Sequence, residues 1–498
     1  MYRLFTTLLL AYLAQNTQAQ SAKIHIDLLH SEASSCTLYV PEWGFMQDYL
    51  KKATIEIPLD KQGSGSFVLP LDRPVQAWFY YGPTDQIYSL FLSPGDSLIF
   101  KADSTQTVEV SGRGAQNNQP LLGSAHLDFE DQLFAGDTLP DRILPAINLS
   151  ARRYDSLFQV YKQRFHPTED FVRIYTKDLA YFKAAGYFGF KENNKYKIQD
   201  AFYRNHAQWQ HVQDSLFAQI NLDDPSALGA HNYTRLLANY LLRTKEALWR
   251  EATDSPAVFC REWYDTTVTA GLAMFQADVQ NLLKEKIIHH YFKNPAVVAY
   301  LYAAVIEDAL AESNPDNLVE IYDRFKQSFP QDPYVSTFEP YIRSIKERET
   351  GQLNSAIVFA PDSGVALHSM EDLLALVKGK TVLLDMWGTW CSPCREEIQQ
   401  NSQAIRDHFK GKGLDYLYVA NFDQGNAQKW KKLIGYFNME GTHVLAGQGL
   451  TKDILKKVKG TGFPSYVVIK RDGTYALSKA GYPMDRDVLI KQLEDALK

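Results

Sequence analysis

The stretch Thr381-Val-Leu-Leu-Asp-Met-Trp-Gly-Thr-Trp-Cys-Ser-Pro-Cys-Arg-Glu-Glu397 decides how the C-terminal part of this chain is read. Thr381–Trp387 is an apolar run of strand length, and Arg395–Phe409 carries helical spacing. Two cysteines therefore stand where a buried strand hands over to a helix. Cys391 falls at the predicted helix start, where unpaired backbone N–H groups and the positive end of the dipole favour a thiolate. Cys394 lies one turn further in. Residues so spaced on a helix are neighbours, within the roughly 4.4–6.8 Å between Cα atoms that a disulfide requires. The arrangement suits thiol–disulfide exchange, with Cys391 attacking and Cys394 resolving.

Three neighbours sharpen this reading. Asp385 interrupts the apolar strand six residues before Cys391, where stripping water from a carboxylate is costly. Either the strand is an edge and Asp385 is wet, or the acid is buried beneath the cysteines with a raised pKa, ready to take the proton of Cys394. The buried acid is the expectation. Glu397 shares the helical face of Cys394, and a solvated helix charge is an equally open reading; Glu396 points elsewhere. In Gly460-Thr-Gly-Phe-Pro-Ser-Tyr-Val-Val-Ile469, a proline opens an apolar strand and removes a ladder donor. A cis Phe463–Pro464 bond would leave nearby backbone free for an extended substrate, and a trans proline in an edge loop is the alternative.

Other chemistries fit poorly. A structural zinc wants a second CxxC or a Cys/His pair, whereas Cys36 and Cys260 stand alone and His289-His290 belongs to a separate helical segment. A peroxidatic site needs a Thr where this chain has Gly388. No metal and no cofactor are expected. The net charge of -6 argues against nucleic acid as the main partner, and no basic cluster suggests a membrane surface. With 45% hydrophobic and 22% charged residues the balance is that of a soluble globular protein, and four cysteines are too few for a disulfide-stapled scaffold. Cys36 and Cys260 read as small buried hydrophobes.

The 498 residues exceed one core, so several domains are expected. Arg3, the apolar run Leu4–Ala14 and Thr17-Gln18-Ala19 read as an export signal over 1–19, with an uncleaved anchor as the alternative. Residues 20–115 carry short alternating strands: one around Ile24, Ile26 and Leu28, then Thr54–Leu59, Ser66–Leu69, Val75–Tyr81, Tyr88–Leu92, Ser97–Ala102 and Thr107–Ser111. They predict an all-β, sandwich-like or barrel-like domain. Residues 116–350 predict an irregular α-helical domain, with aromatic stripes such as Leu157, Val160, Tyr161 and Phe165, then Phe171, Ile174, Tyr175, Leu179 and Phe182. Residues 351–498 alternate strand and helix and end in a hairpin, Ser465–Ile469 with Thr474–Lys479, and a helix.

Trp387-Gly-Thr-Trp-Cys-Ser-Pro-Cys394, with Gly462-Phe-Pro-Ser465, resembles the thioredoxin superfamily, and in particular exported TlpA/ResA-like thiol–disulfide oxidoreductases. The resemblance spans about the last 140 residues. It implies a thioredoxin fold, Cys391 as nucleophile, Cys394 as resolving cysteine and Pro464 as the cis-proline. Asp385 then matches the buried acid and Glu397 an active-site glutamate, while Trp390 and Phe463 join Pro464 as substrate-binding residues. Leu92-Ser-Pro-Gly-Asp-Ser-Leu98 and Val110-Ser-Gly-Arg-Gly-Ala-Gln-Asn-Asn118 resemble the N-terminal extension of TlpA-like proteins from Bacteroidetes-type bacteria. The implied setting is the periplasm, with protein disulfides as substrates, a membrane electron donor and the reducing direction, as in cytochrome c maturation. The opposing hypothesis is an envelope-binding protein with an accessory or vestigial redox head.

Overall fold

A computed structural model describes residues 21–28, 33–40, 54–71, 73–81, 86–103, 105, 107–123, 127, 129 and 131–498. The expected export segment at 1–19 lies outside the described residues. The chain divides into two compact units, one up to Glu307 and one from Asp308 to Lys498.

In the first unit, alternation of apolar and polar residues builds strands with one buried face. They are β1 (Ser21–Leu28), β2 (Ser35–Tyr39), β3 (Thr54–Pro58), β4 (Ser64–Pro70), β5 (Val75–Tyr81), β6 (Gln86–Leu92), β7 (Ser97–Ala102) and β8 (Val108–Arg113). They form two four-stranded sheets, β4-β1-β7-β8 and β3-β2-β5-β6. One core including Ile24, Ile26, Leu38, Phe79 and Phe100 joins them as a sandwich. Sequence reading missed β2, whose inward side offers only Cys36 and Leu38; pairing with β3 and β5 completes it. Cys36 is buried and unbonded, and burial pushes its thiol up to about 12, so it is chemically quiet. The Leu92–Leu98 and Val110–Asn118 motifs are structural here. Asp96 accepts the Ser93 N–H at 2.7 Å, and Asn118 accepts the Phe91 N–H at 2.7 Å while donating to the Phe91 carbonyl at 2.9 Å.

Helices follow: α1 (Ile143–Phe165), α2 (Glu169–Ile198), α3 (His206–Phe217), α4 (His231–Asp254), α5 (Pro256–Tyr264), α6 (Val268–Ala277), α7 (Asn281–Tyr291) and α8 (Pro295–Ala311). The Thr168 hydroxyl caps the 30-residue α2 by accepting the Phe171 N–H. The aromatic stripes are core, with Phe158 and Tyr175 rings 4.4 Å apart. One stripe residue departs from expectation: Val160 is exposed, because Phe158 rather than Val160 completes the buried face of α1. Cys260 is buried and unbonded in α5. His289 and His290 end α7, where His290 stacks on Trp263 and His289 meets the Tyr302 hydroxyl at 2.8 Å.

The second unit begins with the last residues of α8, from Asp308, and continues with α9 (Leu318–Ser328) and α10 (Pro333–Thr350). The domain boundary expected at 350 thus differs from the compact division after Glu307. Ion pairs fasten these helices and their approach to the α/β part: Asp316 with Lys429, Glu349 with Lys432 and, more loosely, Glu312 with Arg395. Then come β9 (Ile357–Phe359), α11 (Met370–Leu376), β10 (Thr381–Trp387), α12 (Ser392–Phe409), β11 (Leu414–Asn421), α13 (Ala427–Tyr436), β12 (Gly441–Ala446), α14 (Gln448–Val458), β13 (Ser465–Ile469), β14 (Tyr475–Leu477) and α15 (Arg486–Leu497). The sheet order is β14-β13-β10-β11-β12-β9. Strands β10, β11, β12 and β9 run parallel, and β13 and β14 add antiparallel. β9 and β12 were not foreseen: three residues carry little pattern, and β12 sets a buried His443 in an apolar run. Residues 381–387 are buried throughout, as a central strand covered on both faces must be. One face packs on α11 and α14, the other on α12, α13 and α15.

Candidate active site

The chain leaves β10 at Trp387 and enters α12 at Ser392, so the cysteines sit at the carboxyl end of a central strand. Cys391 is the N-cap of α12, with Pro393 in the first turn, a position where its missing N–H costs nothing. Its sulfur accepts the Cys394 N–H at 3.2 Å, one of the orphan donors of the helix start. The two sulfurs are bonded, with 5.3 Å between Cα atoms. Both cysteines are buried, Cys391 at 4% exposure and Cys394 at 1%.

Register brings the acids together. Asp385 pairs with Tyr418 on β11 and Tyr466 on β13, on the sheet face that α12 covers. It is buried, and its Oδ1 has no hydrogen-bond partner. Burial raises its pKa to about 7, and the negative charge of Glu397 adds to the rise. The wet-edge reading of Asp385 therefore falls. Glu397 is buried too, which overturns its reading as a solvated helix charge. Its Oε2 accepts from Asn401 Nδ2 at 2.6 Å and its Oε1 from the Met484 N–H at 2.9 Å. Asn401 Oδ1 in turn accepts from Arg486 Nε at 3.0 Å and Nη2 at 2.8 Å. Sequence reasoning missed Asn401 and Arg486. The spacing of four between Glu397 and Asn401 was a usable signal; Arg486 comes from another helix and left none.

A second network laces the cysteine loop to the end of β11. Asp423 accepts the Thr389 N–H at 2.7 Å and hydroxyl at 2.6 Å. Asn421 donates to the Trp387 carbonyl at 3.0 Å, and its own carbonyl accepts Trp390 Nε1 at 2.9 Å. Gly388 permits that last contact, since a β-carbon there would lie 2.6 Å from Trp390 Nε1. Arg395, next to Cys394 and buried, donates to the Thr389 carbonyl at 2.7 Å and the Glu312 carbonyl at 3.2 Å. Its burial was not anticipated.

The Phe463–Pro464 bond is cis, as is Tyr482–Pro483. Phe463 packs against the cluster that holds Cys391 and Cys394, and its ring lies 5.8 Å from that of half-exposed Trp390. All seven expected site residues, Asp385, Trp390, Cys391, Cys394, Glu397, Phe463 and Pro464, thus belong to one locality. Among the described residues, no group of three or more His, Cys, Asp or Glu side chains is arranged to hold a metal ion.

Comparison with known proteins finds thioredoxin-like relatives. A family model described as thioredoxin-like matches residues 379–475. The thioredoxin-like protein YneN of Bacillus subtilis is 32% identical over 127 residues, which cover 25% of this chain and 67% of that protein. The thiol-disulfide oxidoreductase ResA of Bacillus subtilis is 41% identical over 46 residues, 9% of this chain and 25% of ResA. Across the curated relatives it matches, the chain spans from a quarter to about two thirds of their length. Among solved structures, the thioredoxin domain of a thiol-disulfide oxidoreductase from Bacteroides vulgatus matches at 26% identity with a TM-score of 0.22. That match covers 25% of this chain and 84% of that one. With the family model lying across the cysteine pair and the cis-proline, and a relative matched over two thirds of its length, the chain belongs to the thioredoxin-like family.

Proposed function

We propose that the chain is an exported dithiol–disulfide oxidoreductase that reduces protein disulfides. The observation that carries this reading is the cysteine pair closed at the head of α12, with the buried, half-unpartnered carboxyl of Asp385 on the strand that leads into it. In the reduced protein, the Cys391 thiolate attacks one sulfur of a substrate disulfide, forming a mixed disulfide and releasing one substrate thiolate. Cys394 then gives its proton to Asp385 and attacks the Cys391 sulfur. The second substrate thiolate leaves, and the Cys391–Cys394 disulfide remains. Two electrons pass from the protein dithiol to the substrate, and an external dithiol donor, membrane-borne in this reading, returns them.

A carboxyl with a pKa of about 7 supports the proton step, because it is basic enough to accept and acidic enough to release near neutrality. Trp390, Phe463 and Pro464 receive the substrate backbone beside Cys391. Glu397, held by Asn401 and Met484, tunes Asp385 by its charge. Export rests on the reading of residues 1–19, and a periplasmic location on the resemblance of the N-terminal motifs to the extension of TlpA-like proteins. The reducing direction rests on the TlpA/ResA-like resemblance alone.

Insulin reduction with dithiothreitol tests the reading. Wild type should accelerate precipitation of the reduced chains strongly, and Cys391→Ser should abolish the acceleration. Equal slow rates for both would remove the redox assignment in favour of a binding role. Trapping from an unreduced periplasmic fraction with the reduced Cys394→Ser variant, whose mixed disulfide cannot be resolved, would identify the partner.

A further inference from the structure

We propose that Phe422 is a specificity-determining residue which, with Trp390 and Phe463, docks an extended polypeptide segment bearing a large apolar side chain beside the cysteine under attack. The inference rests on the redox reading above and names its substrate class.

Phe422 follows β11 with φ of +59°, a left-handed conformation that a bulky residue seldom adopts. The residue is 48% exposed, so burial does not compensate the strain. The neighbours on both sides hold it there. Asn421 and Asp423 are fully buried, and both are fastened to the cysteine loop through Trp387, Trp390 and Thr389. Asn421 Oδ1 also accepts the Thr451 hydroxyl at 2.9 Å. Between two such anchors the chain can only turn outward, and the ring is presented rather than left loose. Strain maintained by surrounding structure is a mark of functional positions.

What the ring joins is an aromatic rim continuous with the cysteine cluster. Phe422 and Phe463 lie 6.1 Å apart at 88°, Trp390 and Phe463 5.8 Å apart at 90°, and Trp390 and Phe422 6.3 Å apart. Trp390 and Phe422 are each about half exposed, which leaves apolar ring surface for a guest side chain. Rigid aromatic groups around a reactive centre give contact area at little entropic cost, which is how apolar peptide side chains are captured. The three rings carry no charge, so a small anionic disulfide such as oxidised glutathione gains nothing from them.

The test uses the full reduced chain and two disulfide-bridged peptides, identical except for Leu or Ser beside one cysteine. Wild type should favour the Leu peptide about tenfold in kcat/KM, the factor equivalent to about 1.4 kcal/mol. Phe422→Gly removes the ring and relieves the left-handed strain, so the fold is retained while the preference drops below about twofold. Phe422→Tyr should keep it. No preference in wild type, or an undiminished one in Phe422→Gly, overturns the inference. Hydroxyethyl disulfide separates the two levels. If wild type reduces this and both peptides alike, only the specificity claim fails; if it reduces none of them, the redox reading fails as well.

Discussion

At the scale of single residues, one carboxyl of the strand leading to the cysteines is kept away from water. Asp385 has its pKa raised from 3.8 to about 7, so the folded chain binds a proton through that interval while the unfolded chain does not. Stability therefore falls as pH rises from about 4 to about 7. Asp385→Asn should remove the penalty. The variant gains up to about 4 kcal/mol at pH 8, and the gain shrinks towards zero below pH 4. Urea midpoints across that range check it. The same substitution should slow the resolving step about a hundredfold at pH 7 and abolish its inflection near 7, as read by stopped-flow single turnover. Gly388 is the other decisive residue. Gly388→Ala sets a β-carbon against the Trp390 indole and should break its bond to Asn421. The expected readouts are red-shifted tryptophan emission and a loss of about 1–3 kcal/mol.

Elements are held to one another here by buried polar groups as much as by apolar packing. Burial raises the pKa of Asp423, and the hydrogen bonds from Thr389 pull it back; the carboxylate is the clasp between the cysteine loop and β11. Asp423→Ala would strand the Thr389 N–H and hydroxyl, at about 1–3 kcal/mol for each unmet group. A lowered denaturant midpoint together with faster amide exchange over residues 388–391 would register the loss. Helix α12 is positioned twice over, by the N-cap at Cys391 and by Arg395 reaching the Thr389 and Glu312 carbonyls. The helical face of Glu397 was legible in its spacing from Cys394. Its burial was not, because that follows from α15 and the Met484 loop closing over it.

Across the whole chain, the compact division after Glu307 assigns α9 and α10 to the redox-bearing unit. A chain of residues 308–498 should therefore outlast one of residues 351–498. The shorter chain loses Glu312, Asp316 and Glu349, the partners of Arg395, Lys429 and Lys432. A melting temperature lower by about 5 °C or more, with weaker insulin reduction, is the expected difference. Equal stability would favour the boundary at residue 350.

Local chemistry determined the cysteine pair, its place at a helix start, the strand before it, and a proline able to turn the chain beside it, because spacing and side-chain type dictate these within a few residues. Short-range periodicity also gave the strand-rich, helical and α/β regions in order. Tertiary structure alone decided that Asp385 and Glu397 share one dry space, that Arg486 backs Asn401, and that Phe422 is held outward in a strained turn. Each of those depends on residues far apart in the chain meeting across a sheet or a helix packing, and burial and electrostatic coupling arise only once they meet.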